Sequence, residues 1–149
     1  KRLNLIDEKK YKVKFLKLEK LLNKCKYVLL SLPLNNQTKH MINKKTLSIM
    51  RKDSYIINIA RGKIIKEKDL VYALENNKIF GAALDVFEFE PNVSKKLMTL
   101  KNTALMPHAG SASYKTRRAM VDLSMKNIND FLLYKKTKNL INKEILMQW

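Results

Sequence analysis

Residues 55–62, Tyr55-Ile-Ile-Asn-Ile-Ala-Arg-Gly62, decide the fold because an apolar run ends there in a polar turn. A short continuous apolar run is typical of a strand buried on both faces of a parallel sheet. The run at 27–32, which is closed by Pro33, has the same form. The pattern predicts further strands at 80–86 and 103–106, and a short one at 12–15.

Apolar residues at helical spacing lie between these strands and predict helices. The predicted helices cover 16–24, 44–50, 67–77 and 113–134, and Ser113 is placed as the N-cap of the last. Strands that alternate with helices indicate an α/β fold, with helices on both faces of a parallel sheet.

Length and composition limit the classes of protein to consider. The 149 residues suffice for one domain, and 46% hydrophobic content is ordinary for a globular protein. No apolar run approaches the roughly 18 residues that a membrane span needs. Cys25 is the only cysteine, which excludes an intrachain disulfide and predicts a reducing, cytoplasmic location. The chain opens on Lys1 rather than methionine, so we expect an internal fragment or a processed product.

The net charge of +18 requires that nucleic-acid binding be considered. Only five of the 31 basic residues are arginines, and the lysines are spread over nearly every segment. This distribution is typical of a solvated surface rather than of a binding stripe. Zinc-ligand spacing and a helix-turn-helix pattern are both absent from the sequence, which disfavours a nucleic-acid partner and predicts no metal site.

Three polar turns follow apolar runs and place an ionisable residue beside a glycine or proline: Arg61, Glu90 and His108. In a parallel sheet, ligands collect beyond the carboxyl ends of the strands. A guanidinium can bind a carboxylate through two hydrogen bonds, and an imidazole can donate a proton near neutral pH. Taken singly, each residue is also compatible with a surface or structural role. His40 lacks supporting context and is interpreted as structural.

These segments resemble the D-isomer-specific 2-hydroxyacid dehydrogenases, in particular the glyoxylate/hydroxypyruvate reductases. The resemblance runs from about residue 2 to 142, through 31–34, 58–62, 81–91 and 105–112. It implies the carboxyl-terminal half of a Rossmann-type dinucleotide-binding domain over 1–134, including the long helix 113–134. The tail 135–149 would belong to a substrate domain.

The resemblance also implies roles for individual residues. Arg61 would orient the substrate carboxylate, and His108 would donate the proton with Glu90 as its partner, whereas Glu88 is set aside. Residues that would bind the cofactor are Arg2, Leu32, Pro33, Thr38, Ile59, Ala60, Arg61, Asp85, His108 and Gly110. Arg2, beside Lys1, lies where such folds meet the adenosine ribose, which favours NADP over NAD.

One element of the family is missing from the sequence. A Gly-rich G-x-G-x-x-G loop is absent, since the only glycines are Gly62, Gly81 and Gly110, and we expect this loop upstream. The chain alone should therefore bind cofactor poorly and turn over little. The full-length enzyme is expected to be a homodimer. The alternatives are a dehydrogenase of another 2-hydroxy acid, such as phosphoglycerate, and a non-catalytic NAD-sensing or nucleic-acid-associated basic protein.

Overall fold

Four short parallel strands form one sheet in the computed structural model of the chain, which describes residues 5–142 and 144. Their order is β1 (Tyr27–Leu30), β2 (Tyr55–Asn58), β3 (Gly81–Leu84) and β4 (Thr103–Leu105), so each strand pairs with the next one along the chain. The register places Tyr27 opposite Tyr55, and Tyr55 opposite Gly81. The predicted parallel α/β sheet is confirmed.

Short helices connect the strands, as parallel pairing requires. Helices α1 (Leu5–Lys10) and α2 (Leu18–Lys24) precede β1; α3 (Lys44–Ser48), α4 (Glu67–Glu75) and α5 (Lys95–Thr99) lie between the strands, and a 3₁₀ turn, Gly62–Ile64, precedes α4. The Asn43 side chain accepts hydrogen bonds from the backbone N–H groups of Lys45 and Thr46. This cap satisfies donors that the first turn of α3 leaves unpaired.

The core contains aliphatic side chains from the helices, the strands and the segments that connect them. Those at most 1% exposed are Leu22, Ile42, Leu47, Ile56, Ile64, Leu70, Leu74, Ile79 and Leu97. The prediction that the strands are buried on both faces is wrong for β1, where Tyr27 and Leu29 are 63% and 56% exposed. Successive side chains of a strand point to opposite sides, and only the side that bears Val28 and Leu30 packs into the core.

The predicted strand at 12–15 is also absent. Val13 N donates to Glu8 O at 3.0 Å, which closes the end of α1, and residues 13–17 have no regular structure. These residues stay irregular because no neighbouring strand pairs with them among the residues described. Sequence analysis missed α1 and α5, and it placed the start of α2 two residues early.

The chain divides into two compact units, Lys1–Pro107 and His108–Trp149. The second unit contains α6 (Tyr114–Tyr134), which is the predicted long helix. Ser113 is its N-cap, as predicted, and the side chain accepts a hydrogen bond from Thr116 N at 3.2 Å. Within the described residues, no helix is long and apolar enough to cross a membrane.

Candidate active site

A groove of about 660 Å³ lies beyond the carboxyl ends of β1 and β2. Four predicted site residues line it together with Ser31 and Leu34: Leu32, Pro33, Ala60 and Arg61. They come from two segments about 30 residues apart, and they meet because the strands that precede them are parallel neighbours. The groove therefore combines an apolar wall with one guanidinium.

Asn58 fixes the turn that carries Arg61. Its side chain is completely buried; Nδ2 donates to Arg61 O at 3.0 Å, and Oδ1 accepts from Ala60 N at 3.1 Å. The exposed Arg61 side chain donates from Nη1 to Ala60 O at 2.6 Å. Because a guanidinium has five N–H donors, this bond leaves others able to meet a carboxylate.

Thr38 supports the Pro33 corner rather than lining the groove. Its hydroxyl donates to Pro33 O at 2.8 Å, and its backbone N donates to Asn35 Oδ1 at 3.0 Å. Of the other predicted cofactor residues, Ile59 is 53% exposed beside Ala60. Asp85 is half-buried directly after β3, and its N donates to Asn58 O at 3.0 Å.

The segment that carries Glu90 touches the turn that carries Arg61. A Cβ on Gly62 would lie 1.8 Å from Phe87 O, so the two backbones approach more closely than any side chain would allow. Phe87 N in turn donates to Glu90 Oε1 at 2.9 Å. The structure thus brings the Arg61 and Glu90 segments together through Gly62 and Phe87.

Behind this segment lies a polar cluster that sequence analysis missed. His40 Nε2 and Glu88 Oε1 are 2.6 Å apart, and the buried Glu88 accepts from Glu67 N through Oε2 at 2.7 Å. Glu88 N donates to Glu67 Oε2 at 3.1 Å. Burial raises the pKa of the Glu67 carboxyl, and the charge of Glu88 acts in the same direction. The interpretation of His40 as structural, without context, overlooked a partner 48 residues away.

The remaining predicted residues lie elsewhere. His108 and Gly110 belong to the second unit, where His108 is exposed and has a left-handed φ of 54°. The pairing of His108 with Glu90 stays a prediction. Arg2, like Lys1, lies outside the described residues. In the described part of the chain, no cluster of three or more His, Cys, Asp or Glu side chains has a geometry that would hold a metal ion.

Comparisons with known proteins identify the family of the chain. The model of the D-isomer specific 2-hydroxyacid dehydrogenase NAD binding domain matches residues 1–110. Glyoxylate reductase of Thermococcus kodakarensis is 41% identical over 139 residues, which are 93% of this chain and 42% of the relative.

Two solved structures have the same fold. NADPH-dependent glyoxylate/hydroxypyruvate reductase from Sinorhizobium meliloti, in complex with NADP and malonate, matches 81% of this chain and 38% of its own, with a TM-score of 0.77 and 36% identity. The holo form of Rhodotorula graminis D-mandelate dehydrogenase matches 88% of this chain and 38% of its own, with a TM-score of 0.81 and 34% identity.

The chain thus spans less than half the length of these relatives. The family model nevertheless covers most of the chain, and the three relatives share more than 30% of their matched residues with it. The chain therefore belongs to the D-isomer specific 2-hydroxyacid dehydrogenase family, and residues 1–110 match the NAD-binding domain of that family.

Proposed function

We propose that this chain is part of an NAD(P)-dependent reductase of a small 2-keto acid, with glyoxylate or hydroxypyruvate as the first candidates. The observation that carries the proposal is the groove in which Arg61 lies beside Leu32 and Pro33. A guanidinium offers parallel donors to a carboxylate, and apolar neighbours strengthen that interaction by limiting water. The relatives whose names include glyoxylate reductase support this substrate class.

The proposed chemistry divides between three side chains. Arg61 binds the substrate carboxylate and opposes the negative charge that builds on the carbonyl oxygen during reduction. His108 donates the proton to that oxygen, and Glu90 orients His108. The nicotinamide, when bound, supplies the hydride.

The residues present fit only part of an NAD(P) molecule. Leu32, Pro33 and Ala60 provide a wall for the nicotinamide. We assign Ile59, Asp85 and Gly110 to the same end of the cofactor, where Thr38 acts through its hydrogen bond to Pro33 O. None of Gly62, Gly81 and Gly110 belongs to a G-x-G-x-x-G loop, so this sequence lacks that cradle for the pyrophosphate. The chain alone should consequently turn over little.

Cofactor choice, domain limits and assembly are further parts of the proposal. Arg2 would suit a ribose 2′-phosphate, and the Sinorhizobium relative is NADPH-dependent, so we favour NADP. Residues 1–134 are assigned to the cofactor domain and 135–149 to the substrate domain. The complete protein is proposed to be a cytoplasmic homodimer.

A chimera tests the proposed function. In it, this chain replaces the matched 139 residues of the Thermococcus kodakarensis glyoxylate reductase. We expect the chimera to oxidise NADPH with glyoxylate. Arg61→Lys should lower kcat/KM about 10- to 100-fold, because an ammonium cannot reproduce the paired hydrogen bonds of a guanidinium.

Arg51→Lys is the matched control. Arg51 precedes β2, whereas Arg61 follows it, and Arg51 forms an exposed pair with Asp53 at 2.8 Å. The control should change kcat/KM less than about twofold. Circular dichroism and thermal melting establish that each variant is folded. Equal activities of a folded Arg61→Lys chimera and its parent would rule out the assigned role.

A further inference from the structure

A second cavity, larger than the groove at Arg61, lies between α4 and residues 89–96. We call it the α4 cavity. Its volume is about 730 Å³, within the range of roughly 300–1,000 Å³ that small-molecule sites occupy. It shares no lining residue with the groove at Arg61. The roles proposed above leave this cavity without a function.

The cavity wall is largely aromatic and aliphatic. Val71 and Tyr72 come from α4, and Phe89 and Val93 come from the opposite segment. Tyr72 is 48% exposed and Phe89 is 62% exposed, so both rings line the cavity and remain accessible to water. A flat apolar ligand would remove both rings from water and contact them by stacking.

The charges on the rim favour a negative ligand. Each of its two carboxylates lies beside a lysine: Asp69 Oδ2 is 3.9 Å from Lys66 Nζ, and Glu75 Oε1 is 3.3 Å from Lys96 Nζ. The Lys44 ammonium lies 5.6 Å from the centre of the Tyr72 ring, and the exposed Lys68 lies on the same rim. The carboxylate of a ligand stacked on the aromatic wall would thus lie close to these two lysines.

One further carboxyl lies at the buried end of the cavity. Glu67 lines it, but its carboxylate already accepts from Glu88 N at 3.1 Å. Burial raises the pKa of the Glu67 carboxyl. Because Asp69 and Glu75 are paired, Lys44 and Lys68 are the rim charges left to attract an anion.

We propose that the α4 cavity binds an organic anion that joins a flat aromatic body to a single carboxylate. A compact anion such as acetate would leave the two rings uncovered. An amine with the same ring would carry a positive charge, which Lys44 and Lys68 would repel. Phe89 directly precedes Glu90, so an occupied cavity also restrains the segment that carries Glu90. The binding claim does not depend on the proposed reductase activity.

The test is a titration of the ¹⁵N-labelled chain with 2-naphthoate. The expected result is saturable shifts of the Tyr72, Phe89 and Val93 amides, with a Kd of about 1 mM or lower, which a fragment of this size reaches at ordinary ligand efficiency. 2-Naphthylmethylamine should bind at least about fivefold more weakly because its charge is reversed. Acetate should not shift these amides selectively.

Two variants and two matched controls locate the site. Phe89→Ala should weaken naphthoate binding roughly three- to tenfold through the lost stacking, and Lys68→Gln roughly two- to fivefold through the lost charge. Phe80, which is 58% exposed, and the exposed Lys20 lie outside the cavity. Phe80→Ala and Lys20→Gln should leave the Kd unchanged. All four side chains are exposed, so the variants are expected to fold.

Several results would overturn the proposal. Naphthoate shifts confined to Ser31–Leu34 and Ala60–Arg61 would place the ligand in the other groove. Equal affinity for the amine would remove the charge argument, and equal weakening by the control variants would indicate non-specific binding. If the Tyr72 and Phe89 amides shifted with protein concentration alone, a second copy of the chain would cover the cavity instead.

Discussion

Gly62→Ala tests the contact that joins the segments of Arg61 and Glu90. A Cβ at this position would lie 1.8 Å from Phe87 O, 1.9 Å from Phe87 C and 2.5 Å from Glu88 N, whereas ordinary contact begins at 3.4 Å. All three neighbours are backbone atoms, so no side-chain rotation relieves the overlap. One segment must move by more than 1 Å, and we expect a cost of about 3 kcal/mol, the upper end of the usual range for overpacking.

Urea unfolding followed by circular dichroism measures this cost, with the slope of the transition as a check that unfolding stays two-state. Gly81→Ala is the graded control, because its Cβ would lie 2.9 Å from Asn102 O and 3.2 Å from the movable Tyr55 ring. It should cost about 1 kcal/mol. If Gly62→Ala lowered the free energy of unfolding no more than Gly81→Ala, the close approach of Gly62 to Phe87 would be refuted. The conclusion that this approach brings the segments of Arg61 and Glu90 together would then fail as well.

Three further changes probe the supports of the fold and of the site. The raised pKa of Glu67 means that the folded chain keeps a proton that the unfolded chain releases near pH 4.5, so the stability of the wild type falls as the pH rises above that value. Glu67→Gln should remove this fall, and urea unfolding at several pH values measures it. A variant with the pH profile of the wild type would contradict the prediction. Asn58→Ala should cost about 2–3 kcal/mol in urea unfolding, because it deprives Ala60 N and Arg61 O of their partner, whereas the exposed Asn23→Ala should cost less than about 0.5 kcal/mol. Ser113→Ala should lower the free energy of opening of the first turn of α6 by about 1 kcal/mol, which appears as faster amide hydrogen exchange there. Ser124→Ala should leave the exchange rates of that turn unchanged, and equal rates in the two variants would exclude the N-cap.

The strands were predictable because the apolar runs that form them are local features of the sequence. Ile56 and Leu30 lie in such runs, and both are buried in the sheet. Strand-end geometry predicted that Arg61 lies at a ligand site, whereas the place of Pro33 beside it was implied by the family resemblance. Ser113 was predictable because N-capping needs only a side chain and the next turn of helix.

The missed features depend on contacts that sequence spacing does not encode. The 12–15 segment has alternating apolar residues, but the backbone N–H of Val13 donates to Glu8 O at the end of α1. That N–H group is therefore not available to pair with a strand. Helices of five or six residues, such as α5 and α1, are too short to show a periodic apolar face. His40 meets Glu88 across 48 residues, and the sole local hint was that Glu88 closely follows an apolar run.

The most direct test of the proposed chemistry is the effect of His108→Ala on the chimera. If His108 donates the proton, kcat should fall about 100-fold or more, while the Kd for NADPH measured by fluorescence titration stays within about threefold of the parent value. His40→Gln, which changes the other of the two histidines of this chain, should retain most of the activity. An unchanged kcat in a folded His108→Ala chimera would contradict the account.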